Sequence, residues 1–155
     1  RTGDWKTVSE RVDSKQHTDT VFELGISHGE KPDDASYEYF VMMNTTPEEL
    51  RHYRETPTVT VLSNTSECQA VYDAKSGNAM AVFWHAGELT LPGGEILRAG
   101  GGCTLLCRRT ENGFEIRAND PKQKGRKLYL SIDGRSAKLK FPTGMYAGRE
   151  QRAVL

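Results

Sequence analysis

Neither sign of charge dominates this sequence. Lys plus Arg and Asp plus Glu number 21 each over 155 residues, and no long block of one sign appears. The electrostatic footprint of a nucleic-acid binder is therefore missing, and any polyanion partner must be met locally. No apolar run approaches the roughly 18 residues of a membrane span. The opening residues Arg1-Thr2-Gly3-Asp4-Trp5 carry no signal-peptide pattern. The chain as it stands is expected to be soluble, with no membrane partner. Cysteine is scarce: Cys68, Cys103 and Cys107 leave an odd one, and none forms a C-x2-C pair. Cys103 and Cys107 lie in one strand-like segment, where their Cα atoms fall roughly 13 Å apart, too far for a disulfide. They are expected to be buried thiols, with neither a metal site nor a cofactor. A G-x-S-x-G nucleophile elbow and an H-E-x-x-H zinc motif are both absent. The glycines of Ala99-Gly100-Gly101-Gly102 do not join a strand to a helix as a phosphate cradle would.

What is present is mostly β pattern. The apolar share is only 36%, which a β-protein reaches by alternating core positions with solvated ones. Residues 5–12 hold aromatic and β-branched residues. In 21–28, Phe22, Leu24 and Ile26 fall on one face at period two, predicting a strand. A polar loop with Pro32 follows, and 37–43 then predict a further, largely buried strand. The one helix signal is complete: Thr46 as N-cap, Pro47 at the first helical position, and Glu49 closing a capping box. It predicts a helix over about 47–55 that stops before Pro57.

Beyond Pro57 only short strand-like pieces occur, at 59–62, 69–72, 79–84, 87–91, 103–108, 114–118, 127–132 and 137–141. Asn112-Gly113 and Asp133-Gly134 are pairs suited to tight hairpins, and Pro92-Gly93-Gly94 and Gly100-Gly101-Gly102 break other strands. Eight short strands need two packed sheets. The expected fold is all-β: the end of a larger β-domain over 1–57, then a small antiparallel sandwich over 58–155. Residues 1–57 hold too few strands to bury both faces of a sheet, so they read as the end of a domain that begins elsewhere.

Each candidate site residue has a structural reading beside its functional one. His28 ends a strand before Gly29, where an imidazole either orders the loop or meets a sugar. Trp84-His85 offers an aromatic face for a pyranose ring, or a core tryptophan at a strand end. Tyr37 and Tyr39 share one side of their segment, as a buried pair or as a sugar platform. Lys122, Lys124, Arg126 and Lys127 cluster around a turn, either a solvated hairpin tip or a contact for an acidic polysaccharide. Asp33-Asp34 and Glu48-Glu49 have structural explanations in a loop and a helix N-terminus. The glycosylation patterns at Asn44 and Asn64 are too short to decide anything. The binding candidates are thus Trp84, His85, Lys124 and Arg126; no residue is assigned to catalysis or to a metal.

Three segments in order resemble the family 8 polysaccharide lyases, which cleave chondroitin, hyaluronan or xanthan by β-elimination. His28-Gly29-Glu30-Lys31-Pro32 with Tyr37-Glu38-Tyr39 is similar to the family's HG-x-x-P loop and Y-x-Y strand. Residues 59–71 resemble its V-x-V-L-x-N-T-x-x-x-Q-A-V run, which begins the terminal sandwich. Residues 81–87 resemble an F-W-x-A-G segment, and Asn119-Asp120-Pro121-Lys122-Gln123 a D-P-T-Q turn. Within the family, the tyrosine strand and the loop lean toward the chondroitin-ABC type.

The resemblance implies a helical toroid and most of a central β-domain that are not in this chain. β-Elimination beside a uronic acid needs a group to neutralise the carboxylate, a base for the C5 proton and an acid for the leaving oxygen. In the family those groups lie on segments that match nothing here. The resemblance therefore implies a non-catalytic C-terminal part of a secreted or periplasmic bacterial glycosaminoglycan lyase, inactive alone. Its partners are the missing catalytic portion and, through the whole enzyme, an acidic polysaccharide. The alternative is a stand-alone carbohydrate-binding sandwich.

Overall fold

A computed structural model of the chain describes residues 2–4, 9, 11, 15–18 and 20–155, without the side chain of residue 17. It divides into two compact units, Arg1–Phe40 and Val41–Leu155.

In the first unit, β1 (Thr2–Asp4) and β2 (Gln16–Thr18) form an antiparallel pair with Thr2 opposite Thr18. The strand expectation over 5–12 falls almost entirely outside the described residues. The strands expected at 21–28 and 37–43 are not found: both segments run without a ladder partner among the described residues. The 37–43 side chains, expected to be largely buried, stand exposed, Tyr39 at 72% and Val41 at 70%, and so do Phe22 and Leu24 of 21–28. Alternation makes a segment fit to be a strand; only a neighbouring strand makes it one.

The second unit opens with helix α1 (Pro47–Glu55). The Glu49 amide donates to the Thr46 hydroxyl, and the Thr46 amide donates to the Glu49 carboxylate at 2.7 Å, closing the expected capping box. Ten strands follow: β3 (Val59–Asn64), β4 (Cys68–Asp73), β5 (Asn78–Phe83), β6 (Gly87–Thr90), β7 (Ile96–Ala99), β8 (Cys103–Thr110), β9 (Gly113–Asn119), β10 (Lys127–Ile132), β11 (Arg135–Lys140) and β12 (Gln151–Val154). They make two antiparallel sheets, ordered β12-β9-β8-β5-β4-β3 and β11-β10-β7-β6.

The core lies between the sheets and is built from complementary sizes. The larger sheet presents many small side chains (Ala70, Ala79, Ala81, Cys103, Cys107), and the smaller sheet answers with Leu89, Leu97, Leu128, Leu130 and Ile132. Burying each of these leucines and Ile132 contributes roughly 1.5 to 3 kcal/mol. Cys103 and Cys107 stand four residues apart with both side chains in the core. Burial pushes each thiol up to about 12. All three cysteines are buried and free, as expected.

Of the two predicted hairpin turns, Asp133-Gly134 holds as read. Both residues have positive φ, 46° and 84°, between Ile132 and Arg135, which pair. The other differs. The two-residue loop is Glu111-Asn112, with Thr110 paired to Gly113, so Gly113 is the first residue of β9. Glycine is needed there because a Cβ would sit 1.9 Å from the Leu155 carbonyl oxygen, which accepts from the Phe114 amide.

Candidate functional site

The register of the sandwich gives its two outer faces different chemistry. On the six-stranded sheet, Val61, Val71, Met80 and Leu106 are opposite one another in turn across β3, β4, β5 and β8. They form one apolar row on the solvent side. Met80 is 40% exposed and Val61 38%. Farther along the same face, Arg108, Arg117 and Arg152 converge on the buried carboxylate of Glu115 at 3.0 to 3.3 Å. The Arg117 hydrogen bond leads in holding that carboxyl below its usual range.

Trp84 belongs with this face. It follows buried Phe83 at the end of β5, so alternation turns it outward, 53% exposed. Its indole Nε1 donates to Gln69 Oε1 at 2.6 Å, on the neighbouring strand. The core alternative for Trp84 is therefore not realised. His85 is exposed beside it in the connection to β6.

The basic turn is organised around a carboxylate. Asp120 is fully buried and accepts from the backbone amides of Lys122 at 3.1 Å and Lys124 at 2.9 Å. Arg126 closes the ring with Nη2 at 2.8 Å from Oδ1 and Nε at 3.4 Å from Oδ2, while also donating to the Gly102 carbonyl at 3.0 Å. The Arg126 hydrogen bond is the first cause that holds the Asp120 carboxyl below its ordinary value. Of the two basic candidates here, Arg126 is thus tied into a structural clamp, and Lys124 lends its amide while its side chain stays exposed. Of the four residues proposed from sequence, Trp84 and His85 occupy one connection and Lys124 and Arg126 another; the two meet at Gly102, whose carbonyl accepts from Arg126 and where a Cβ would meet the Trp84 carbonyl.

In the first unit, His28, Tyr37 and Tyr39 stand in a row, with ring centroids 6.1 and 6.2 Å apart and the tyrosines stacked. Tyr37 is 60% exposed. The two tyrosines do share one side, but as an exposed pair.

Sequence reasoning missed the outer face of the four-stranded sheet. A groove of about 760 Å³ opens there, floored by Ala99 and Gly100 and walled by Tyr129, Ser131, Ser136 and Lys138. Tyr129 lies opposite Lys138 in the β10–β11 register. The lysine Nζ is 5.2 Å from the ring centroid, and its hydrogen bond lowers the phenol's pKa. Across the groove Arg98 is held by Glu88 at 2.7 Å. A signal for this arrangement was present, since the Asp133-Gly134 turn fixes which residues of β10 and β11 face each other.

Two family models match the chain: the super-sandwich domain of polysaccharide lyase family 8 over residues 1–54, and that family's C-terminal β-sandwich domain over 60–129. Chondroitinase-AC of Pedobacter heparinus is 33% identical over 153 residues, taking in 94% of this chain and 22% of that protein. Hyaluronate lyase HylB of Enterococcus faecalis is 28% identical over 85% of the chain and 13% of its own length. A solved structure of chondroitinase AC lyase, studied with oligosaccharides, superposes with a TM-score of 0.84 at 31% identity, over 98% of this chain and 23% of that one. A Paenibacillus xanthan lyase structure shares the fold, at a TM-score of 0.66 and 24% identity over 84% of this chain and 13% of that one. The chain thus spans about a fifth or less of the curated relatives it matches.

Proposed function

Because the chain belongs to polysaccharide lyase family 8, as the end of its super-sandwich domain and its C-terminal β-sandwich, we propose that it is the non-catalytic support of a secreted glycosaminoglycan lyase. The whole enzyme cleaves chondroitin or hyaluronan by β-elimination, with its catalytic groups on preceding segments. The observation that carries this reading is the uncovered apolar row Val61, Val71, Met80 and Leu106, extended by the indole of Trp84. Such a row on one face of a sandwich is what another packed body covers. The uncovered apolar side chains of 21–28 and 37–43 support it too, because strands that end a larger sheet lack partners when separated from it. Both buried carboxylates, Glu115 and Asp120, are engaged by arginines and serve the fold. A division near Pro57 is supported by the two family spans, which meet there, although α1 groups with the sandwich by contact.

The test is turnover. The purified chain given chondroitin sulfate or hyaluronan produces no ultraviolet absorbance from unsaturated product, and measurable turnover ends the proposal. In the whole enzyme, Met80→Lys lowers thermal stability by uncoupling the sandwich while leaving the chemistry of the remaining active enzyme intact.

The exposure of Trp84 favours a second reading, a carbohydrate-binding sandwich working through Trp84 and His85. Glycan binding lost on Trp84→Ala, with the fold retained, selects that reading.

A further inference from the structure

The outer face of the four-stranded sheet gathers cations that the fold does not neutralise. Lys127, Tyr129 and Ser131 of β10 point to solvent beside Lys140, Lys138 and Ser136 of β11, pair by pair. With Arg98 of β7 this face carries four cations against one carboxylate, Glu88, on a chain whose formal net charge is zero. On the other sheet and in the basic turn, Arg108, Arg109, Arg117, Arg126 and Arg152 each meet a carboxylate. Among the described residues Lys127, Lys138 and Lys140 have no carboxylate partner.

Lys127 and Lys140 are directly opposite each other, an arrangement that costs stability in the absence of a counter-charge. Lysines on an edge strand also guard it against pairing with other chains, and β11 is an edge. That explains Lys138 and Lys140. It does not explain Lys127, on β10, which is paired with β7 farther along; Arg98 is answered by Glu88.

The groove beside these cations has the remaining features a sugar needs. The Tyr129 ring, 56% exposed, is an aromatic face against which the apolar side of a pyranose can lie. Ser131 and Ser136, directly opposite each other, offer hydroxyls that both donate and accept. Gly100 keeps the floor low: a Cβ there would lie 3.3 Å from the Tyr129 Cβ and crowd the base of the ring.

The geometry points to a binding groove for an acidic polysaccharide on the outer face of the four-stranded sheet, with Tyr129 as platform and Lys138, Lys127 and Lys140 as counter-charges to its carboxylates or sulfates. This rests on the reading above for the kind of polyanion, and the two fail separately. Turnover by the chain ends the first, and absence of binding ends the second.

The experiment measures binding of the purified chain to chondroitin sulfate and to hyaluronan, with neutral dextran and double-stranded DNA as comparisons. Saturable binding to at least one acidic polysaccharide and none to dextran is expected, weakening as salt rises. Tyr129→Ala and the double change Lys127→Gln with Lys138→Gln each weaken it about tenfold, equivalent to about 1.4 kcal/mol. Trp84→Ala changes it less than about twofold, and circular dichroism of each variant confirms a native fold. Tyr129→Phe, which keeps the ring, retains binding and guards against a merely structural effect. No saturable binding up to about 1 mM, a loss with Trp84→Ala in place of Tyr129→Ala, or DNA binding as tight as polysaccharide binding each overturns the assignment.

Discussion

Lys138 holds its ammonium 5.2 Å from the centre of the Tyr129 ring, across a hairpin whose register is set by Asp133 and Gly134. Both side chains are exposed, so the contact is a property of the surface, and it makes the phenol easier to ionise.

Lys138→Gln removes that cation, so the Tyr129 phenol should titrate at higher pH, closer to an ordinary tyrosine. Ultraviolet difference titration, with Tyr129→Phe identifying the transition, reads the shift. An unmoved transition in Lys138→Gln refutes the coupling.

Asp120 ties folding to acid. Its folded-state carboxyl lies below the ordinary value, chiefly through Arg126, so its stabilisation is present above the unfolded carboxylate pKa of about 4 and is lost as pH falls through the folded value. Arg126→Ala should cost about 3 kcal/mol at neutral pH, because it leaves a buried charge with only backbone partners. In denaturant melts run at falling pH, the gap between Asp120→Asn and the parent chain should narrow; a constant gap contradicts the linkage.

Gly113→Ala places a methyl group against the Leu155 carbonyl at a φ of 144°, where side chains are rarely accommodated. The β9–β12 ladder must part locally, at a cost of about 2 kcal/mol or more. Hydrogen exchange should show the Phe114 and Leu155 amides losing protection first.

The thiols of Cys103 and Cys107 should be silent toward an aromatic disulfide reagent in the native chain at neutral pH, since burial pushes each up to about 12. All three cysteines react once denaturant is added. The sign for stability is the reverse of Asp120's. The contribution is full below the unfolded thiol value of about 8.5 and declines as pH rises toward the folded value. Rapid labelling of Cys103 in the native state would show that the core opens.

Much of the sandwich was legible because local chemistry specified it. The Thr46, Pro47 and Glu49 signature placed α1 at its observed bounds, and eight of the ten sandwich strands were marked by short strand-like pieces between turns. β7 escaped because its four residues are hemmed between two glycine clusters, and β12 because Gln151 and Arg152 give it no apolar alternation. The segments at 21–28 and 37–43 erred the other way, since their pattern describes strands for which no ladder partner is found among the described residues. At the candidate sites, residue type suggested Arg126, but a buried aspartate six residues away claims it. Tyr129 and Lys138 attract no notice separately and acquire meaning only when the hairpin sets them side by side.

The chain visits the two sheets alternately: β3 to β5 in the larger, β6 and β7 in the smaller, β8 and β9 back in the larger, then β10 and β11, and finally β12. Each visit before the last is a hairpin or meander closed by a short loop, so its ladders can form without waiting for distant sequence. Three ladders, β5 with β8, β7 with β10 and β9 with β12, join each visit to the following visit to the same sheet. These demand the larger loop closures, and they are the steps expected to set how fast the sandwich folds.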